Sequence, residues 1–176
     1  MMTLLLPSGA VAQDSTPVLI IDSERLFLSS EFGKRVAREI EARGNDLAAQ
    51  NRQIEAELAA AEQDLTERRA TMSPEGFQPL ADAFDTRVQE TRQTQAAKSR
   101  ALNAQLERER EAFLRVAGPI LQELMEQAGA SVVLDRRTVF ISANSADITT
   151  AAISRINAQL GAGKPIEPVD APDPQE

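Results

Sequence analysis

Cysteine, histidine, tryptophan and tyrosine are all missing from this 176-residue chain, and phenylalanine occurs only six times. Without thiols or imidazoles there is no disulfide, no thiolate or histidine catalysis and no His/Cys metal site, and no cofactor is expected. A chain free of cysteine suits an oxidising compartment, where a lone thiol is a liability. No apolar run approaches the length of a membrane span, about 18 residues, so no stable membrane insertion is expected. Basic stripes are missing too: the net charge is −8, which argues against nucleic acid as a partner. With so few large side chains the chain has little from which to build a core, and oligomerisation is expected to supply the missing burial.

What the chain does have is helix. Two stretches of similar length, residues 23–71 and 74–128, carry helical periodicity and fold back at Met72-Ser73-Pro74-Glu75. In the first, Ile40, Leu47 and Ile54 recur every seven residues, and Leu58 and Leu65 continue the seam at the partner heptad position. The seam is weak, because Gly44 and Asn51 occupy places where an apolar residue is usual. The second stretch answers with Leu80, Phe84, Val88, Leu102, Leu106, Phe113, Ala117, Ile120 and Leu124, but between residues 91 and 100 only Ala96 and Ala97 are apolar. A hairpin firm at its base and softer in its middle and tip is expected. Ser73 suits an N-cap, Pro74 the first helical position and Glu75 the positive end of the helix dipole. Gly118-Pro119 predicts a bend, and Gly129 a helix end.

Charge follows the same division. Residues 23–71 carry 8 basic and 10 acidic groups and residues 72–128 carry 7 and 9, so both helices are densely charged and nearly balanced. Most of these groups read as a solvated face. The pair Arg68-Arg69 near the tip could draw an anionic partner, although exposed arginine at a helix end is the commoner reading.

Short apolar segments flank the hairpin. Residues 18–21 read as a strand covered on both faces. Residues 131–134 and 138–141 read as a β-hairpin about Asp135-Arg136-Arg137. A last helix over 147–160, capped by Asp147 or Ser145, carries Ile148, Ala152, Ile156 and Leu160 on one face. Three strands leave open edges, which copies of the same body would close. The fold class expected is mainly α with a small β body: a long antiparallel coiled-coil hairpin on an oligomeric, barrel-like β body. Leu19, Ile21, Val133 and Phe140 are the expected core of that body and of its oligomer. One domain spans residues 13–160, with body strands over 17–22 and 131–142 and the arm over 23–128.

The ends read differently. Ala10-Val11-Ala12 after Leu4-Leu5-Leu6 fits the close of a secretory signal, with a mature start at Gln13. No Lys or Arg precedes Arg25, so the true start is expected upstream of the first residue given. Residues 161–176, with Pro165, Pro168, Pro172 and Pro174 among acidic groups, read as a disordered tail.

In this order, strand, long helix, Ser-Pro-Glu tip, long helix, β-hairpin and short helix, the chain resembles the Skp/OmpH family of periplasmic chaperones. Val18-Leu19-Ile20-Ile21-Asp22 leading to Ser30-Glu31-Phe32-Gly33-Lys34 carries the resemblance at the start. Val133-Leu134-Asp135 with Val139-Phe140-Ile141, and Asp147-Ile148-Thr149 leading to Ile156-Asn157, carry it at the end. The resemblance implies a periplasmic homotrimer whose three helical tentacles enclose a cavity. It also implies that unfolded outer-membrane proteins are held there without ATP. Leu47, Ile54, Leu58, Leu65, Phe84 and Leu102 are the expected contacts with such a client, and many weak contacts can sum to useful affinity. Well-known relatives are basic whereas this chain has a pI near 4.7, so no site for lipopolysaccharide or anionic lipid is carried over.

Two other classes compete. A structural hairpin adaptor of an envelope export assembly would dock end-on through residues 68–75, but would need an anchor or a larger flanking β domain. An enzyme would need desolvated groups, and the carboxylate pairs Glu55/Glu57 and Glu107/Glu109/Glu111 are expected on an exposed helix where nothing shifts them. No catalytic residue is assigned.

Overall fold

The computed structural model describes residues 16–165. The signal-like residues 1–12 and the tail from residue 166 onward lie outside the described residues. The elements in order are β1 (Val18–Ile21), α1 (Ser23–Ser29), α2 (Glu31–Arg69), α3 (Pro74–Gln127), β2 (Val132–Asp135) and α4 (Thr149–Leu160). Two 3₁₀ turns, Arg136–Thr138 and Asn144–Ala146, separate β2 from α4.

The long hairpin stands where the seam pattern puts it. Ser73 caps α3 by accepting from the Gly76 amide at 3.2 Å, with Pro74 at the helix start. Gly129, at φ 62°, takes the left-handed conformation that ends α3. Gly118-Pro119 does not interrupt α3, which runs through Pro119 to Gln127.

The first helical stretch is not continuous, contrary to the sequence reading. Ser30, with ψ 156°, splits it into α1 and α2. Its hydroxyl donates to the Phe27 carbonyl at 2.7 Å and accepts from the Gly33 amide at 3.0 Å, so one side chain ends one helix and caps the next. Gly33 makes the junction possible: a Cβ there would lie 1.8 Å from the Phe27 carbonyl oxygen.

β1 and β2 pair in parallel, with Val18 opposite Val132 and Ile21 opposite Asp135. Parallel strands need a crossover connection, and here the whole helical hairpin is the crossover. On its other side β1 meets the chain before α4, where the Ile148 amide donates to the Ile20 carbonyl at 3.0 Å and Ile20 bridges Asp147. Leu19, Ile20 and Ile21 are accordingly buried, as expected of a strand covered on both faces.

The expected β-hairpin over 131–141 is not formed. Instead of turning the chain back, Asp135 caps a 3₁₀ turn: its carboxylate accepts from the Arg137 amide at 2.9 Å, and its carbonyl accepts from the Thr138 hydroxyl at 2.7 Å. The chain leaves the sheet there, so the second strand of that hairpin is absent and Phe140 is fully exposed, at 104%. Of the expected body core, Leu19 and Ile21 are buried and Val133 is half-buried against the core, while Phe140 has no place in the protomer's own interior.

The core gathers where the hairpin meets the body. Ile21, Leu26, Phe27, Phe32, Val36, Phe113, Ala117, Ile120, Ala152 and Ile156 form one cluster. Ala152 and Ile156 face inward from α4 at the expected spacing of four. The ordered chain also continues past the tail boundary placed at residue 161. The Arg35 Nε donates to the Ala162 carbonyl at 2.8 Å, and Gly163, at φ 67°, lies so close to Phe32 that a Cβ would come within 2.5 Å of the ring.

Candidate functional site

The base of the arm is built like a protein interior. Three phenylalanines meet there, Phe27 edge-on to Phe113 with centroids 5.3 Å apart and Phe32 5.5 Å from Phe113. One turn further along, Arg35 reaches across from α2 to Glu109 on α3 at 3.0 Å, and to Glu39 on its own helix at 3.0 Å. Its guanidinium also lies 4.5 Å from the centroid of Phe32. Arg43 hydrogen-bonds Gln105 one turn beyond that. Glu109 is only 1% exposed, which corrects the reading of the 107/109/111 carboxylates as uniformly solvated. The reason is its place on the face that also carries Gln105 and Phe113, each four residues away. Paired with Arg35, it ties α2 to α3 at the foot of the arm, and Arg35 in turn donates to the Ala162 carbonyl beyond α4.

Beyond this clamp the arm changes character. No residue from 37 to 104 is fully buried. The seam residues Leu47, Ile54, Leu58 and Leu65 on α2, and Leu80, Phe84, Val88 and Leu102 on α3, are all half-buried. Few polar bonds join the helices in this stretch: Lys98 to Gln50 at 3.1 Å and an exposed Arg87–Glu57 pair at 3.5 Å. Solvated pairs of this kind add little.

A groove of about 920 Å³ opens between the helices in mid-arm. Ile54, Leu58, Phe84 and Val88 supply its apolar lining, and Asn51, Gln95 and several charged groups its polar lining. Contacts across the hairpin fix the register: Leu102 lies beside Gly44, and Gln105 bonds Arg43. In that register Asn51 faces Gln95, and Leu58 faces Val88. The side-chain oxygens of both Asn51 and Gln95 are buried without a hydrogen-bond partner.

The outer side of the body carries a second surface. Val18 and Leu134 in the two-stranded sheet, and Phe140 and Ile141 in the chain after it, are exposed. Below them, Asp135 is bound by the Ser23 hydroxyl and by the amide and guanidinium of Arg137. Those bonds, Ser23 first, hold its carboxyl down to about 2. Asp147 is likewise lowered, chiefly by Thr149 and further by Arg136.

Of the six expected contact residues the structure brings Ile54, Leu58 and Phe84 together in the groove, and leaves Leu47, Leu65 and Leu102 along the seam. Gln95 went unremarked in the sequence, though it lies in the polar stretch 91–100 that marked the seam's interruption. The Arg35–Glu109 clamp left no signal, because two charged residues far apart in sequence look like any others on a solvated helix. Among the described residues no helix is long and apolar enough to cross a membrane.

A long two-helix arm on a small base with a short parallel sheet defines the class of protein. The structure is similar to the crystal structure of a candidate outer membrane chaperone (OmpH-like) from Caulobacter crescentus CB15. The TM-score is 0.77 at 18% identity, over 91% of this chain and 95% of that one. Residues 17–156 match the model of the family described as outer membrane protein (OmpH-like), and the chain belongs to that family. No curated protein matches the chain.

Proposed function

We propose that the protein is an ATP-independent periplasmic holdase that keeps unfolded outer-membrane proteins soluble between the arms of a homotrimer. The observation that carries this reading is the long stretch from 37 to 104 without a fully buried side chain. Such an arm gives up little internal packing when its half-buried apolar residues turn to a client, and its balanced charges keep the loaded complex in solution. Family membership supports the chaperone role. The exposure of Val18 and Leu134 on the two-stranded sheet, and of Phe140 and Ile141 in the chain after it, supports assembly, since a second copy would cover apolar surface that one protomer leaves open. In that assembly Leu19, Ile21 and Val133 form the body and Phe140 the contact between copies.

The test is light scattering on the protein alone and mixed with a urea-diluted outer-membrane β-barrel. A trimer that takes up one soluble client is the expected result. A monomer, or a trimer that lets the barrel aggregate, would overturn the proposal.

A further inference from the structure

Each helix of the arm is nearly balanced in charge, but the folded hairpin sorts those charges along its length. Gly44 lies beside Leu102, so Ile54 stands level with Arg92, ten residues further from the base on each helix. Tipward of that level, residues 55–90 carry 3 basic and 9 acidic groups, a net −6. Baseward of it, residues 31–54 and 92–115 carry 11 basic and 7 acidic groups, a net +4. All the acidic groups of the outer half are exposed, and only Glu57 and Asp64 among them have an ion pair among the described residues. In the inner half Arg38, Arg52, Arg92 and Arg100 are exposed and have no ion pair among the described residues. The sign changes at the mid-arm groove, where Ile54, Leu58, Phe84 and Val88 are left half-covered.

We propose that the arm pairs with the arm of a second copy, antiparallel and side by side, groove against groove. A two-fold axis through the middle of the groove sets the acidic half of each arm on the basic half of the other and covers both apolar linings. The inference stands on the charge pattern and the groove, and does not rest on the holdase reading.

Three observations select a second copy. The partner must present a basic stretch and an acidic stretch on either side of an apolar centre, and this arm read in reverse is that surface. The lengths also agree. The groove lining on α2 runs from Asn51 to Glu62, so the axis falls near Glu57 and the tip at Ser73 reaches Glu41 of the other arm, short of the Arg35–Glu109 clamp. The part of the inner half covered in this way, residues 41–54 and 92–105, carries 5 basic and 2 acidic groups, a net +3 against the −6 laid on it. Direction follows as well. Arms springing side by side from one body lie parallel and set acidic half on acidic half, where like charges repel, so the pairing joins arms of different bodies. Ala48 and Ala59, exposed on one face of α2, let a neighbouring helix approach closely.

The test is sedimentation velocity on the full chain without a client. In about 20 mM salt, where charges act over about 20 Å, the mass should be twice that found in about 0.5 M salt, where they act over about 4 Å. Two variants should lose the doubling. Glu55→Lys with Glu62→Lys and Glu67→Lys brings the outer half to zero, and Arg52→Glu with Arg100→Glu does the same for the inner half. The first also moves the whole chain from −8 to −2, which by itself favours association, so its loss of doubling reads the pairing and not the net charge. The chain has no cysteine, so single introduced thiols report direction. Ala48→Cys and Thr66→Cys are exposed sites on the face of α2 that carries Ala59, nine residues to either side of Glu57. Antiparallel arms should cross-link when the two variants are mixed and not in either one alone. A mass that does not change with salt, a doubling that survives both charge variants, or cross-links confined to each variant alone would overturn the proposal.

Discussion

The base and the arm are made of the same two helices and are held together in different ways. In the base Phe113, Ala117 and Ile120 on α3 are buried against Phe32 and Val36 on α2, and even the charged pair Arg35–Glu109 is enclosed. In the arm the same helices continue with leucines and isoleucines at proper heptad spacing, yet none is fully covered. Heptad spacing alone therefore does not make an interior. A third layer does: at the base α1 and α4 close over the hairpin, and along the arm nothing closes over it within one protomer.

Substitutions should expose that contrast. The largest effect is expected from Phe113→Ala, which empties the centre of the phenylalanine cluster. It should cost about 4 kcal/mol in urea unfolding at fixed protomer concentration. A loss below about 2 kcal/mol would mean that the base is no better packed than the arm. Glu109→Gln should cost about 3 kcal/mol, because Arg35 loses the buried one of its two carboxylate partners and keeps only the more exposed Glu39 as a counter-charge. The double change Arg35→Met with Glu109→Leu should recover most of that loss, and failure to recover it would show that the Ala162 and Glu39 contacts matter more than the pair.

Leu58→Ala should cost only about 1 kcal/mol, since its side chain is already half in water. Its effect should appear in barrel capture, measured by aggregation at stoichiometric trimer. If stability fell as far as in the base variants, the arm would be an interior after all. The smallest effect concerns acid. Asp135 has its carboxyl at about 2 in the folded protein against an ordinary 3.8, so the folded state binds its proton less readily than the unfolded chain. The resulting stabilisation is complete above about pH 4 and is lost as pH falls toward 2. Asp135→Asn should flatten the stability profile in that window, and an unchanged profile would rule out the Ser23–Asp135–Arg137 cluster as its cause.

Much of this division was legible before any coordinates. The seven-residue recurrence of Ile40, Leu47 and Ile54, the Ser73-Pro74 start and the polar run from 91 to 100 together gave the hairpin, its tip and its weak middle. These are local signals, carried by residues close in sequence. What was missed depends on distant partners. The break at Ser30 arises because its hydroxyl donates to the Phe27 carbonyl and Gly33, without a side chain, leaves room for that carbonyl, and a serine in a helical run does not announce that. The hairpin expected about Asp135 failed because apolar periodicity in 139–141 looks the same for a paired strand and for one that leaves the sheet. Glu109 was misplaced because a charged residue on a helix is usually solvated, and its place on the buried face with Gln105 and Phe113, opposite Arg35, makes it otherwise.

The parallel pairing of β1 with β2 has a consequence for how the molecule comes to be folded. The strand made first has no partner until Val132–Asp135 has been made, after the whole arm. Until then Val18–Ile21 is an apolar strand with unpaired amides, the kind of segment that draws other chains into pairing. Helices form locally and quickly, whereas the closure of so long a loop is slow. The arm therefore stands before the body that supports it, and each newly made copy begins as an unfolded strand in need of cover.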